Sequence, residues 1–114
     1  MKADLLTMNG SPGYGGNTID LSEASNTFTY HVGPYETVSV EMLTQGTAGI
    51  ITLYRSNSPA NNAFALETGT VTLGPGNAMS PAIDCTGFWY LHIKVTTVEA
   101  GLNATLTVIG KAAT

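Results

Sequence analysis

Residues 87–97 read GFWYLHIKVTT, the most apolar and most aromatic run in the chain. Phe88, Trp89 and Tyr90 stand side by side, followed by His92 and Lys94. Successive side chains of a strand point to opposite faces, so three neighbouring rings cannot make one flat platform. Alternation instead puts Trp89, Leu91, Ile93 and Val95 on one face, with Phe88, Tyr90, His92 and Lys94 on the other. The first set is wholly apolar and predicts a core face that includes Trp89. The second turns from aromatic to polar and predicts an outer face that is partly covered.

The same period of two recurs on either side of this run. TFTYHV at 27–32 sets Phe28, Tyr30 and Val32 against Thr27, Thr29 and His31. ETVSVEMLT at 36–44 sets Val38, Val40 and Met42 inward, with Thr37, Ser39 and Glu41 outward, and Gly33-Pro34 marks the turn between the two. A strand near 48–55 follows, with Ile51 and Leu53 facing one way and Ile50 and Tyr54 the other, and SNSPANN after it is a loop by composition. Shorter strands are expected around Phe64–Glu67, Thr70–Leu73 and AMSPAIDC, and NATLTVIGKA closes the series with Ala104, Leu106 and Val108 on one face. Seven or eight strands, turn residues at nearly every joint and no convincing helical period predict an all-β fold. The expected architecture is an antiparallel β-sandwich, jelly-roll or Ig-like. Its core is expected to hold Val38, Val40, Ile51, Leu53, Trp89, Leu91, Ile93, Leu106 and Val108. Residues 1–16 end in a Gly/Pro-rich run without period and read as an N-terminal arm or loop, with residues 17–114 as a single sandwich domain. Leu5, Leu6 and Met8 give that arm apolar groups to bury on a neighbour.

Composition narrows the function classes. Of 114 residues, 43% are hydrophobic and only 11% charged, against an average of about a quarter. Net charge is −4, and the four cations, Lys2, Arg55, Lys94 and Lys111, are scattered. Without a basic stripe to neutralise phosphates, no nucleic-acid partner is expected. No apolar run approaches the length of a membrane helix, and MKADLLTMNG lacks the apolar stretch of a secretory signal, so synthesis in the cytoplasm and no membrane partner are expected. A surface this poor in charge predicts assembly through Tyr, Thr, Asn and apolar anchors rather than through ion pairs.

Catalytic and cofactor chemistry finds little footing. His31 and His92 are the only imidazoles, both on predicted polar faces, and neither stands at metal-ligand spacing from a cysteine or a second histidine. Cys85 is the one cysteine and reads as a buried thiol rather than as half of a Cys85–His92 dyad. The carboxylates read as solvated surface acids, and the glycines of GSPGYGG and GPGN lack the strand–loop–helix setting of a phosphate cradle. The expectation is a protein that is not an enzyme, with no catalytic residues, cofactor or metal. Carbohydrate binding is the competing reading, with Tyr14, Tyr35, Tyr54, Asn57, Asn61 and Asn62 as its candidate contacts.

Five segments taken together resemble a β-sandwich module of small structural proteins of tailed bacteriophages. They are Val38-Ser39-Val40, Gly46-Thr47, Ser56-Asn57-Ser58, Gly87-Phe88-Trp89-Tyr90 and Ala100-Gly101, within roughly residues 36–110. Ser58 stands where an acidic residue is usual in that pattern and His92 where arginine is common. The resemblance implies a virion protein, made in the host cytoplasm, that binds the major capsid protein or another virion protein. A capsid decoration or cement protein on the outer head surface is the first expectation, and a homo-oligomer, by the same resemblance a trimer, goes with it. A tail or neck component, or a carbohydrate-binding adhesion module, is the alternative. The expected partner-binding residues are Leu5, Leu6, Met8, Tyr35, Tyr54, Arg55, Asn57 and Asn61.

Overall fold

The computed structural model describes residues 3–6, 17–24, 27–57 and 71–112. Among them the chain forms ten strands and no helix: β1 (Ala3–Leu6), β2 (Asn17–Asp20), β3 (Thr27–His31), β4 (Thr37–Thr44), β5 (Ile50–Ser56), β6 (Val71–Leu73), β7 (Ala78–Met79), β8 (Ile83–Asp84), β9 (Tyr90–Thr97) and β10 (Asn103–Lys111). Every pairing is antiparallel.

One sheet has six strands but is only four wide. β10 and β4 run down its middle, β1 and β2 lie end to end along the far side of β10, and β7 and β8 lie end to end along β4. The second sheet has the order β3-β9-β5-β6. From β2 onward the chain passes back and forth between the sheets, and the two orders together are those of a jelly roll. The sandwich is therefore as expected, and strand order decides between the jelly-roll and Ig-like alternatives.

The interior is what alternation predicts, drawn from both sheets. Val38, Val40, Met42, Leu106 and Val108 face Tyr30, Ile51, Leu53, Leu91, Ile93 and Val95, and all are buried. Thr37, Ser39, Glu41, Thr105 and Thr107 occupy the alternate positions and are half-buried on the other side of the sheet.

Three expectations need correction. Trp89 is not in the core: it is 56% exposed. β9 begins at Tyr90, so Trp89 lies in the bend before the strand, where alternation does not bind it. Val32, Ile83 and Cys85 are buried in the core instead. His92 was expected on a polar outer face and is fully buried, bridged to hydroxyls on both neighbouring strands. Finally, residues 1–16 are not wholly arm or loop, because β1 pairs with β10 from Ala3↔Lys111 to Leu6↔Val108. A four-residue strand is too short to reveal a period in sequence.

At the sandwich end opposite Trp89, the Glu99 carboxylate closes the loop between β4 and β5. It accepts backbone N–H groups from Thr47 (3.0 Å), Ala48 (3.0 Å) and Gly49 (2.9 Å). These bonds, led by that from Thr47, hold its carboxyl below the usual range. A depressed folded-state value contributes stability that is present above the unfolded-state value of 4.5 and is lost as pH falls through the folded-state value. Acid titration of wild type should therefore show a loss of stability below that pH that is smaller in Glu99→Gln, measured by urea midpoints across the acid range. Equal acid limbs for the two proteins would show that the clasp contributes nothing.

The core assignment makes a second expectation. Leu106→Ala should cost about 2–5 kcal/mol, whereas Trp89→Ala should cost at most about 1 kcal/mol, the scale of a surface substitution that removes one stacked ring pair. Urea denaturation followed by circular dichroism measures both, and a greater destabilisation by Trp89→Ala than by Leu106→Ala would reverse the assignment.

Candidate functional site

Among the described residues, two surfaces stand out for large apolar side chains left exposed near polar partners. The first is the sandwich end formed by the last residues of β3 and β5 and the bend before β9. Here the backbone carbonyl of Trp89 accepts the N–H of Val32 at 2.8 Å, and its own N–H donates to Asn57 Oδ1 at 3.0 Å. The indole stacks on His31 with ring centroids 5.5 Å apart and planes 8° from parallel. His31 in turn meets Tyr90, and Tyr90 meets His92, so a file of rings runs from the surface inward. Gly33 completes the seat, because a Cβ there would fall 2.3 Å from the indole Cε3. The indole is held in place, with one face stacked on His31 and Gly33 close beside its six-membered ring.

The second surface is the outer face of the six-stranded sheet. Leu43 and Met79 are exposed there, at 47% and 65%, and Ile109 is half-buried. Met79 pairs with Glu41 across the β4–β7 ladder and Leu43 with Thr105 across β4–β10. Two hollows open at this sheet. One, of about 370 Å³, is lined by Leu43, Thr44, Gln45, Asn77, Asn103 and Thr105. The other, of about 220 Å³, is lined by Thr37, Val38, Ser39, Ala82, Ile109 and Lys111. Lys111 is the one charged residue among these twelve.

The titratable groups inside the fold are tied up structurally. His92 Nδ1 lies 2.9 Å from Thr29 Oγ1 and Nε2 lies 3.1 Å from Ser56 Oγ. A serine beside an imidazole has the composition of a nucleophile–base pair, yet Ser56 and His92 are both buried, so no substrate reaches them. The bridge ties β3, β9 and β5 together instead. Burial pushes the Cys85 thiol up to about 11, which leaves it protonated and unreactive at neutral pH. Among the described residues, no three His, Cys, Asp or Glu side chains come together as metal ligands.

The structure separates the residues expected to bind a partner. Asn57 is exposed and belongs to the Trp89 end. Tyr35 is half-buried with its ring over the β10 backbone, where a Cβ on Gly110 would come within 2.6 Å of it. Arg55 donates to the Asp84 carbonyl and lies 4.9 Å over the Phe88 ring. Tyr54 is half-buried opposite His92. Leu5 and Leu6 belong to β1, opposite Ile109 and Val108. Met8 and Asn61, with Tyr14 and Asn62 from the carbohydrate reading, lie outside the described residues, as does the strand expected at Phe64–Glu67. Sequence reading missed Trp89, Leu43 and Met79 as surface groups. For Met79 the signal was the absence of any alternation around a two-residue strand, and for Trp89 it was the preceding Thr86-Gly87 turn.

No family model matches the chain, and no curated protein matches it by sequence. Solved structures do share the fold. The SPBc2 prophage-derived protein YomS is similar over 96% of this chain and 95% of its own, with a TM-score of 0.59 and 14% identity. CsCBM6-3 from Clostridium stercorarium, solved in complex with cellobiose, is similar over 98% of this chain and 88% of its own, with a TM-score of 0.50 and 17% identity. The chain is thus a β-sandwich of an architecture found both in a prophage-derived protein and in a protein that holds a disaccharide.

Because Trp89 is the only tryptophan, its emission reports this end of the molecule directly. Native protein should show water-exposed emission that acrylamide quenches readily, with only a small change on unfolding. Cys85 should resist thiol reagents until the protein unfolds, followed by the release of thionitrobenzoate. Rapid labelling of the native thiol, or a blue-shifted and shielded indole, would contradict the burial described above.

Proposed function

We propose that the chain is a non-enzymatic structural protein of a tailed-phage particle, a decoration or cement protein that seats on the outer surface of the head. The observation that carries this reading is the outer face of the six-stranded sheet, where Leu43 and Met79 stand exposed among mostly uncharged threonine, serine and carboxamide side chains, with Glu41 and Lys111 as the charged ones. Apolar anchors set in neutral polar surroundings are what a protein–protein contact uses when charge is scarce. The fold shared with a prophage-derived protein supports the reading, as does the resemblance of its segments to phage structural modules. The partner is then the major capsid protein or a neighbouring virion protein, and the module repeats with the symmetry of the particle, as a homo-oligomer that the resemblance makes a trimer.

A second reading is carbohydrate adhesion. It is favoured by the exposed, braced Trp89 ring, in a fold shared with a protein solved with cellobiose.

Quantitative mass spectrometry of purified particles tests the first reading. Hundreds of copies per particle mean decoration, about a dozen or fewer mean a tail or neck position, and none leaves the adhesion module. Bound protein should stay on particles as salt is raised, since surface ion pairs are already screened over about 8 Å at physiological strength. Leu43→Asp or Met79→Asp should release it. Dissociation at moderate salt, with both variants still bound, would point to a charge-driven contact elsewhere.

A further inference from the structure

The indole of Trp89 is a large apolar group that the fold leaves in water, at 56% exposure, although one of its faces is already stacked on His31. The exposed area must therefore belong mainly to the opposite face and the rim. This is not a loosely hung side chain. Its backbone is pinned from both sides, by Val32 N–H to its carbonyl and by its own N–H to Asn57 Oδ1. Its ring is backed by a nearly parallel imidazole, itself braced by Tyr90. Gly33 admits no side chain without displacing the indole. A flat apolar face held this way loses little freedom when something stacks on it.

The surroundings select the chemistry of what stacks. Among the described residues, the groups that seat Trp89 are an imidazole, a glycine, a valine backbone N–H and a carboxamide, with no carboxylate, guanidinium or ammonium. The cation two residues before Asn57, Arg55, is engaged with the Asp84 carbonyl and the Phe88 ring. A nucleic acid would bring phosphates to a chain of net charge −4, with no basic groove to receive them. Hot-spot tryptophans of protein contacts sit among other apolar groups, whereas the exposed described residues that meet Trp89 are His31, Gly33 and Asn57. A pyranose fits better. One of its faces is a patch of C–H groups that matches the electron-rich indole face, and its hydroxyls lie around the edge, where an amide can reach them. Asn57 uses Oδ1 to hold the Trp89 backbone, and its amide nitrogen makes no hydrogen bond to the described residues, so a donor is available at this end of the sandwich.

We infer that the free face of Trp89 is a stacking site for a neutral pyranose, oriented by the Asn57 amide. The inference rests on the adhesion reading above and names its site and ligand class. It is compatible with particle attachment through the six-stranded sheet, because Trp89 packs with His31 at the end of the other sheet.

The test uses the full chain with cellotetraose, xylotetraose and chitotetraose, and a sulfated oligosaccharide as the charged control. Binding is measured by calorimetry, by Trp89 emission and by the NMR shift of the indole Nε1–H. At least one neutral tetrasaccharide should bind and move both indole signals. Trp89→Ala, shown to be folded by circular dichroism, should weaken binding at least about tenfold. Trp89→Phe should weaken it less, Asn57→Ala should weaken binding, and Leu43→Asp should leave it unchanged. The indole signals of the unmodified chain locate the ligand even if Trp89→Ala proves unfolded. Binding seen by calorimetry without any indole change would keep the adhesion reading and overturn this site. Binding of no neutral tetrasaccharide would overturn the adhesion reading itself, and preference for the sulfated control would overturn the ligand class.

Discussion

The antiparallel ladder between β4 and β10 is the constraint on which the rest of the molecule depends. Its register runs from Ala104↔Thr44 to Lys111↔Thr37 and places Val38, Val40 and Met42 on the same face as Leu106, Val108 and Ala104. A slip of one residue would turn these groups to solvent and bring Ser39, Glu41 and Thr107 into the interior. The second sheet is held in the same way by β9, which pairs with β3 on one side and β5 on the other. There the outer positions are tied as well, through the imidazole of His92 between the hydroxyls of Thr29 and Ser56. A polar bridge buried on the outer face costs little because both ring nitrogens have partners.

How much of this was legible in sequence follows from where the period of two applies. Within long strands it reads faces correctly: of the nine residues expected in the core, only Trp89 fails. It fails because alternation was carried one residue past the start of β9, into a bend whose direction is set by Asn57 and Val32, distant in sequence. His92 shows the complementary limit. Alternation placed it on the outer face, where it is, but a period carries no information about what covers that face. β1 was missed for a simpler reason, since so short a strand shows no sustained period, and the short strand expected within AMSPAIDC is two shorter ones, β7 and β8. Tyr35 and Arg55 were read as loop groups facing a partner, and a turn-rich context does suggest exposure. In the fold they also meet Gly110, Asp84 and Phe88, contacts that only the folded chain creates.

The same economy of charge shapes both proposed surfaces. With ionic groups making up 11% of the chain, specificity has to come from shape, apolar contact and neutral hydrogen-bonding groups. On the six-stranded sheet these are Leu43 and Met79 among threonines and carboxamides. At the Trp89 end they are one ring face and one amide. Contacts of this kind are insensitive to salt but individually weak, and a single stacked sugar ring is weaker than a sheet face against a protein. The proposed arrangement resolves that difference through multiplicity. A module anchored by one sheet in many copies on a symmetric lattice presents as many Trp89 rings from the end of the other sheet. Successive sugar contacts along a glycan-coated surface then become intramolecular, and avidity rises by orders of magnitude without any change in the single site. The jelly roll suits that division because its two sheets turn their outer faces in opposite directions while sharing one interior, so the anchoring surface and the displayed ring need not compete for the same residues.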